Sequence, residues 1–328
     1  MASTRAPATG RLFRVLAPLR SLAANRWVRL AFLALSLGFM ALVMRAYWRE
    51  AIGFRPAFRP GWLALSLAGL LPALAFEAGL WRTLLASLGH RLPIRRSAGM
   101  WFVSGLARYI PGNVWQFLGM MELGATSGVP RGATLTSVAL HQVFCNLAGL
   151  LVGAPLLADA FGLSPGGRVA VGAALVVGMA AVLSPPVLVR ANALFTRVAR
   201  PEGGSVELSA GRVCLILAGY CAYWLTVGLS FSALGRSLGI AAGEPLAWAS
   251  AFCASYVAGY LSLLTPSGLG VREGVLALLL AGVAGPGPAA VVALVARLWL
   301  SVAEVVVAAV AVLVDRGLLL GHSPEPQS

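Results

Sequence analysis

Three long stretches of this sequence contain no aspartate, glutamate, arginine or lysine, and they limit the possible folds more than any other feature. They are Val169–Val189, Val213–Gly235 and Pro245–Val271. Each exceeds the roughly 18 apolar residues that a helix needs to cross the hydrocarbon of a bilayer. Only 11% of the 328 residues are charged, against about 25% in an ordinary soluble domain. The sequence therefore predicts an all-α, polytopic integral membrane protein.

The basic residues are distributed as expected for a protein of the cell membrane. All 25 are arginines, and the net charge is +14. They lie mostly in short segments between apolar runs, which is typical of the positive-inside rule and not of a nucleic-acid-binding groove. We therefore expect anionic lipid headgroups as partners, no nucleic acid, and cytoplasmic N- and C-termini.

Arginine clusters and apolar runs divide the chain into three parts: a basic arm (1–27), one transmembrane domain (28–316) and a short tail (317–328). The domain is expected to contain six full spans, which are 28–48, 61–81, 132–158, 169–189, 212–235 and 288–314. The arm and the loops after the second and fourth spans are rich in arginine, so we expect them to be cytoplasmic.

Two further apolar segments are interrupted by proline and glycine. Residues 97–124 contain Tyr109-Ile-Pro-Gly112, and residues 246–284 contain Thr265-Pro-Ser-Gly-Leu-Gly270. Proline removes a helical N–H and glycine permits non-helical dihedrals, so each helix should break there. Broken backbone inside a membrane must be buried in protein or line a wet cavity. We interpret both segments as re-entrant helical hairpins. The alternative is eight spans, two of them kinked.

The two interrupted segments also resemble each other. Each break is followed by a half-helix, by a Gly-Val pair 17 or 16 residues after the proline, by a proline-containing loop and by a full span. This predicts two repeat units, 28–158 and 169–314, each with three full spans and one hairpin. Because three is odd, the second unit would be inverted relative to the first, as in many transporters.

Ionisable side chains at membrane depth are costly and often mark function. The candidates are Glu77, Arg108, Glu122, His141, Arg272, Glu273, Arg297 and Glu304. Arg108 precedes the first break and Arg272 follows the second, where guanidinium groups and helix N-termini could bind a phosphate. The alternative for both is an arginine that extends to the membrane interface. Glu77 and Glu122 lie near enough to predicted span ends for water to reach them.

Other polar residues have simpler interpretations. A Glu273–Arg297 ion pair could fix helix packing or take part in transport. His141, Gln142 and Asn146 form a polar stripe that interhelical hydrogen bonds would explain. A single histidine without other close ligands is not a metal site, and the four cysteines are expected to be packing residues. No nucleotide-binding or hydrolase motif is present, so we expect neither a cofactor nor an enzyme.

Several motifs resemble one family. Arg108-Tyr-Ile-Pro-Gly-Asn-Val-Trp115 and Pro266-Ser-Gly-Leu-Gly-Val-Arg-Glu273, with Gly128-Val129, Gly282-Val283 and Arg297, are similar to the transmembrane, flippase-like domain family of lysylphosphatidylglycerol synthases. The resemblance covers nearly the whole chain and implies movement of a lipid headgroup across the bilayer. In the best-known relatives the lipid is aminoacylated phosphatidylglycerol, which a separate soluble synthase domain makes. This sequence contains no such domain, so we do not expect it to aminoacylate lipids.

These motifs and arginines define the substrate-binding residues that we expect. They are Arg108, Tyr109, Pro111, Gly112, Pro266, Gly268, Gly270, Arg272, Glu273 and Arg297. The function expected is translocation of a phosphate-bearing lipid, such as aminoacyl-phosphatidylglycerol or a polyprenyl-phosphate-linked lipid. One alternative is a non-transporting partner of a glycosyltransferase or lipid synthase, which a filled interior would favour. Another is an intramembrane enzyme, which Glu273 and His141 in one pocket would favour.

Overall fold

The computed structural model describes residues 48–109, 115–160, 162–182, 184–199, 208–261 and 268–315, with a few isolated positions before residue 48. The described part contains no strand, which confirms the all-α class. Its helices are α1 (Trp48–Gly53), α2 (Pro60–Ser87), α3 (Ile94–Leu106), α4 (Trp115–Thr126), α5 (Arg131–Ala160), α6 (Pro165–Val182), α7 (Pro185–Ala199), α8 (Ala210–Ser237), α9 (Pro245–Leu261), α10 (Val271–Ala284) and α11 (Pro286–Val314). A short 3-10 turn, Ala107–Tyr109, follows α3.

Four helices of the described part are long and apolar enough to cross a membrane: α2, α5, α8 and α11. They coincide with the second, third, fifth and sixth predicted spans. A helix of 28 residues, such as α2, is about 42 Å long and exceeds the hydrocarbon thickness of about 30 Å. The first predicted span (28–48) lies almost entirely outside the described residues, as do the N-terminal arm and the C-terminal tail.

The fourth predicted span, 169–189, is not one continuous helix. α6 ends at Val182 and α7 begins at Pro185, and Ser184 lies in a bend between them. Proline cannot donate a backbone hydrogen bond, and it disfavours helical geometry in the residue before it. The Pro185-Pro186 pair therefore separates the two helices, and the prediction of one helix over this range was wrong.

Each interrupted segment forms two short helices that run antiparallel. α3, α4, α9 and α10 contain 13, 12, 17 and 14 residues, so each is about 18–26 Å long and shorter than the hydrocarbon core. At the start of α3, Arg96 Nε donates to the Ser127 hydroxyl just beyond α4, at 2.8 Å. Gly243, just before α9, lies against Val283 near the end of α10. In each pair, the start of the first helix therefore lies close to the end of the second.

Helices α2–α5 and helices α8–α11 pack in the same pattern. In the first set, α2 and α4 each pack on both α3 and α5. In the second set, α8 and α10 each pack on both α9 and α11. Between the two sets, α5 contacts α9 as α11 contacts α3. α2 and α8 contact each other and run antiparallel, because Gly69 lies against Ser230 and Gly219 lies against Leu80.

Contacts at the two ends of the bundle define the direction of the long helices. The backbone N–H of Arg59, before α2, donates to the carbonyl of Ser237 at the end of α8, at 2.7 Å. At the opposite end, a guanidinium nitrogen of Arg96 lies 3.7 Å from a carboxylate oxygen of Asp315, just after α11. The ends of α2 and α11 and the start of α5 therefore share one end of the bundle.

Small residues bring several helices into close contact. A Cβ added at Gly153 of α5 would lie 3.1–3.3 Å from atoms of Ala254 in α9, and a Cβ at Gly228 of α8 would clash with Ala249 in α9. Helix association inside a bilayer gains little from the hydrophobic effect, so such close packing and interhelical hydrogen bonds stabilise the bundle. One such bond joins Trp224 Nε1 to the Cys145 carbonyl at 2.7 Å.

Candidate functional site

A polar cavity of about 150 Å³ lies between the two antiparallel helix pairs. Residues from α2, α3, α4, α5, α9 and α11 line it, together with the turn after α3 and the start of α10. Its ionisable or charged lining residues, tyrosines apart, are Glu77, Arg108, His141, Arg272, Arg297 and Glu304. The interior of the bundle is therefore not filled by apolar side chains alone.

The cavity lies near the middle of the long helices. Glu77 is ten residues from the end of α2, His141 is ten residues from the start of α5, and Glu304 is ten residues from the end of α11. These three helix termini are at the same end of the bundle. At 1.5 Å per residue, each side chain is about 15 Å from that end, which is half the thickness of a hydrocarbon core of about 30 Å.

An ion pair connects the turn after α3 to α11. Arg108 Nη2 lies 3.1 Å from Glu304 Oε1, and the Tyr109 hydroxyl donates to Glu304 Oε2 at 2.6 Å. Arg108 Nε also donates to the Gly105 carbonyl at 3.0 Å. The sequence marked Glu304 as a candidate, but it gave no indication that Glu304 pairs with Arg108.

A second ion pair connects α10 to α11. Arg297 Nη1 lies 3.4 Å from Glu273 Oε1, which confirms the predicted pair. Glu273 Oε2 also accepts a hydrogen bond from the backbone N–H of Gly270, at 2.7 Å, and so caps the start of α10. Glu273 lies behind the cavity wall and does not line the cavity.

Gly268, before α10, is at a position where only glycine fits well. Its φ is +67°, in the left-handed region. A Cβ at this position would be 2.9 Å from both the Cα and the carbonyl oxygen of Gly259 in α9. Both the dihedral angle and the close backbone contact require a residue without a side chain. This contact holds the start of α10 against α9 and so positions Arg272.

Arg272 is buried at the cavity wall without a carboxylate partner in the described residues. Its side chain packs between two aromatic rings, with Cζ 4.8 Å from the ring centroids of both Phe252 and Tyr256. The residue is 7% exposed, and within the described part of the chain its Nη2 has no hydrogen-bond partner. Burying an unsatisfied cationic donor is unfavourable, whereas a planar guanidinium binds phosphate or carboxylate oxygens well.

Glu77 and His141 lie side by side in the cavity wall. Glu77 Oε1 lies 3.5 Å from His141 Nε2, and His141 Nδ1 is 2.7 Å from the Tyr220 hydroxyl of α8. The expected interhelical hydrogen bonding of His141 is confirmed. The expectation that Glu77 lies near a span end was wrong, because α2 continues six residues beyond residue 81 and only 9% of Glu77 is exposed.

One group of buried side chains could hold a metal ion. A carboxylate oxygen of Glu77, a ring nitrogen of His141 and the sulfur of Cys145 lie within 4.8 Å of one another. This donor set is compatible with Zn²⁺. The sequence pointed instead to an isolated histidine and to cysteines used in packing, because the spacing of these residues matches no metal-binding motif.

Residues 26–309 match the family model described as Lysylphosphatidylglycerol synthase TM region. The chain belongs to this family. The match covers both antiparallel helix pairs and all six of the ionisable or charged side chains named at the cavity, so the predicted resemblance is confirmed. Together with the four long apolar helices, it identifies an integral membrane protein with a lipid-related function. No curated protein and no solved structure is similar enough to match.

In this member of the lysylphosphatidylglycerol synthase TM family, the predicted substrate-binding residues fall into three groups. Those that line the cavity are Arg108, Tyr109, Gly268, Arg272 and Arg297. Gly270 and Glu273 lie behind it and shape the start of α10. Pro111, Gly112 and Pro266 lie outside the described residues. Glu77 and Glu304 were candidate ionisable residues in the sequence but were not among the predicted substrate-binding residues, and Tyr256 was missed, because their cavity positions depend on contacts between distant parts of the chain.

Proposed function

We propose that the protein is a lipid translocase that binds a phosphate-bearing headgroup in the cavity. The observation that carries this proposal is Arg272, a buried guanidinium at the cavity wall with an unused donor. Glu304 and Glu273 pair with Arg108 and Arg297, so Arg272 is the arginine best placed to receive an anion. A phosphate oxygen would provide the acceptor that Nη2 lacks.

The polarity of the cavity supports binding of a headgroup alone. The cavity has a volume of about 150 Å³ and is lined, tyrosines apart, by six ionisable or charged side chains. Such a lining suits a phosphate and its immediate substituents, whereas an acyl or prenyl chain is more stable in the hydrocarbon of the bilayer. The hydrocarbon chains would therefore stay in the bilayer while the headgroup passes through the protein.

The two antiparallel helix pairs supply the proposed route. We interpret α3–α4 and α9–α10 as re-entrant hairpins that enter from opposite sides, in two repeats of inverted topology. Their short helices, their antiparallel contacts and the matching packing of α2–α5 and α8–α11 support this interpretation. Such an arrangement permits alternating access to a site at the membrane centre. Arginines that cluster at residues 82–96 favour a cytoplasmic location for the first hairpin's base and for both termini.

The polar cavity favours translocation over the alternative functions. A non-transporting partner of a glycosyltransferase or lipid synthase has no need of charged side chains at the centre of its membrane domain. An intramembrane enzyme was expected to bring Glu273 and His141 together. Instead, Glu273 pairs with Arg297, and His141 faces Glu77.

The proposal is tested by reconstituting the purified protein into vesicles that contain fluorescent phosphatidylglycerol, lysyl-phosphatidylglycerol or a polyprenyl phosphate. A quencher added outside reports how much lipid reaches the outer leaflet. We expect the protein to accelerate flipping of at least one of these lipids. Arg272→Gln should reduce flipping about 10- to 100-fold, because a charge-assisted hydrogen bond contributes about 1.5–3 kcal/mol.

Arg236→Gln is the matched control. Arg236 also stacks on an aromatic ring, with Cζ 4.9 Å from the centroid of Trp62, but it lies outside the cavity at the end of α8. Flipping by this variant should equal that of the unaltered protein. Folded protein that flips none of the three lipids, or that flips equally well with Arg272→Gln, would refute the proposal and favour the non-transporting partner.

A further inference from the structure

Three side chains beside the cavity combine the donor atoms that zinc prefers. A carboxylate oxygen of Glu77, a ring nitrogen of His141 and the sulfur of Cys145 lie within 4.8 Å of one another, and all three residues are buried. Carboxylate oxygen, imidazole nitrogen and thiolate sulfur suit Zn²⁺ or Co²⁺, whereas Mg²⁺ and Ca²⁺ prefer oxygen ligands alone. No other three histidine, cysteine, aspartate or glutamate side chains are grouped so closely in the part of the chain that the structure describes. The donor set therefore points to a transition metal.

The distances in this group are compatible with tetrahedral coordination. Bonds of about 2.0–2.3 Å to zinc place two neighbouring ligand atoms about 3.3–3.6 Å apart at the tetrahedral angle. Glu77 Oε1 and His141 Nε2 are 3.5 Å apart. His141 and Cys145 both belong to α5, where a spacing of four residues places two side chains on the same face. Small side-chain rotations therefore suffice to bring the three donors around one ion.

Neighbouring side chains hold the His141 ring in an orientation suited to metal binding. His141 Nδ1 is 2.7 Å from the Tyr220 hydroxyl, and the Trp101 ring lies edge-on to the imidazole, with centroids 4.4 Å apart. When Nδ1 carries the proton and donates it to Tyr220, the lone pair of Nε2 faces Glu77. Metal-binding histidines in proteins usually have such a partner at their second ring nitrogen. These contacts fix the ring and leave Nε2 available to a metal ion.

We propose that Glu77, His141 and Cys145 bind one Zn²⁺ ion whose fourth coordination position faces the cavity. Glu77 and His141 line the cavity, whereas Cys145 is buried outside it. An ion on these three ligands therefore borders the cavity on its remaining side. Zinc sites with three protein ligands take a water molecule or a substrate oxygen at the fourth position. Zinc with one carboxylate, one thiolate and one neutral imidazole forms a complex without net charge, which suits the interior of a membrane.

The ion also adds a contact for the headgroup, and this part of the inference rests on the proposed translocase. Arg272 lines the same cavity as Glu77 and His141. A phosphate has enough oxygen atoms to contact a guanidinium and a metal ion together. Zinc binding itself does not depend on translocation, so the two parts are tested separately.

The first test measures zinc binding to the purified protein without a histidine tag. The protein is incubated with Zn²⁺, dialysed against a weak chelator and analysed for metal by mass spectrometry, and we expect one zinc ion per chain. Cys145→Ala should weaken zinc binding at least about 100-fold in competition with a chelating dye, because even losing a hydrogen-bond partner of a metal ligand costs 10- to 100-fold. Folded protein that retains no zinc, or a Cys145→Ala variant that binds zinc as tightly, would overturn the proposal.

Cys221→Ala is the matched control. Cys221 is a half-buried cysteine of α8 that does not belong to the group, so this variant should retain its zinc. The complementary variant keeps Cys145 and has alanine in place of the cysteines at 214, 221 and 253. It should also retain one zinc ion, which distinguishes the site from zinc held by other thiols. Loss of zinc from either variant in its folded form would contradict the assignment.

A second measurement needs no variant. Co²⁺ in place of Zn²⁺ gives intense visible absorption bands when its ligands are tetrahedral, and a near-ultraviolet charge-transfer band when one ligand is a thiolate. We expect both in the unaltered protein, and we expect added Zn²⁺, but not Mg²⁺, to remove them. Folded protein without the thiolate band would rule out the proposed ligand set.

The cobalt-loaded protein also tests the fourth position. Short-chain phosphatidylglycerol should change the visible bands, because a phosphate oxygen replaces water at the ion, and an uncharged detergent should not. An equal response to inorganic phosphate at the same concentration would reject the headgroup in favour of free phosphate. Unchanged bands, from protein that flips the same lipid, would remove the headgroup contact and leave the translocase standing. A protein that binds zinc as expected but flips no lipid would refute the translocase alone.

Discussion

Arg272 and Glu77 differ from the other charged side chains of the cavity in the partners that they have. Arg108 and Arg297 each pair with a carboxylate, and these pairs connect α11 to the two helix pairs. Arg272 stacks on aromatic rings, and Glu77 faces His141. The ion pairs of Arg108 and Arg297 favour one arrangement of the helices. In the described residues Arg272 and Glu77 have no ion pair with a permanently charged partner, so they can change their contacts when a ligand binds. The cavity therefore combines positioning residues with binding residues.

At the residue scale, Gly268→Ala tests the close contact between α9 and the start of α10. Alanine at φ +67° costs about 1–2 kcal/mol, and its Cβ would clash with the backbone of Gly259. We expect a lower thermal midpoint in detergent and slower flipping, because Arg272 follows this turn.

Gly282→Ala in α10 is the control for this substitution. A Cβ at Gly282 would meet no atom within 4 Å, and alanine favours helix more than glycine does. This variant should be as stable as the unaltered protein or slightly more stable. Equal midpoints for the alanine variants at 268 and 282 would contradict the importance of the contact.

The limits of sequence interpretation are clear at individual residues. The apolar pattern identified the breaks and the two arginines beside them, because proline, glycine and charge leave local signals. It placed Glu77 too near a helix end because Arg82 resembled a span boundary. α2 instead continues past Arg82, whose Nε donates to the Leu92 carbonyl at 2.8 Å. The contact between Glu304 and Tyr109 joins residues 195 positions apart, which no local pattern reveals.

At the scale of elements, α2 and α8 correspond position by position. Leu67-Ala-Gly69 in α2 recurs as Leu217-Ala-Gly219 in α8, 150 residues later. Each helix is also followed, two residues after its end, by a glycine with positive φ: Gly89 at +88° and Gly239 at +82°. This spacing is visible in the sequence at positions away from the proline and glycine breaks. It supports the proposed repeat with a signal independent of the hairpins.

Gly219→Ala tests the packing of α2 on α8. The new Cβ would lie 2.6 Å from Leu80 Cδ2, so the buried Leu80 side chain must move into its packed surroundings. Such overpacking costs about 1–3 kcal/mol, which offsets or exceeds the roughly 1 kcal/mol that alanine gains over glycine in a helix. We expect a lower thermal midpoint of unfolding, measured in detergent by tryptophan fluorescence. Gly79→Ala, one position from Leu80 but with open space around its Cβ, should leave the midpoint unchanged. A loss of stability in both variants would show that replacing any glycine in these helices is destabilising, and the contact with Leu80 would not be the cause.

At the scale of the whole molecule, the two possible topologies place some of the loops on different sides of the membrane. With re-entrant hairpins, Arg95 and Glu244, at the starts of the two helix pairs, lie on opposite sides of the membrane. With two kinked spans instead, the number of crossings between them is even, and both lie on the same side. Both residues are exposed in the structure, so the difference can be measured.

Arg95→Cys and Glu244→Cys are introduced singly after the four native cysteines are replaced by alanine. Intact cells are then treated with a membrane-impermeant maleimide, with and without permeabilisation. We expect the cysteine at 244 to react in intact cells and the cysteine at 95 to react only after permeabilisation. The same behaviour at both positions would favour eight spans and remove the inverted repeat.

Three arginines line the cavity, and two lining carboxyl groups and that of Glu273 behind the wall match them in number, which has an electrical consequence. A membrane potential acts on a moving charge with about 2.3 kcal/mol per elementary charge per 100 mV. An empty cavity in which all six groups are ionised has no net charge and is insensitive to this force when it changes from one orientation to the other. In the proposed translocase, voltage then acts on the step that carries an anionic headgroup and not on the return of the empty protein.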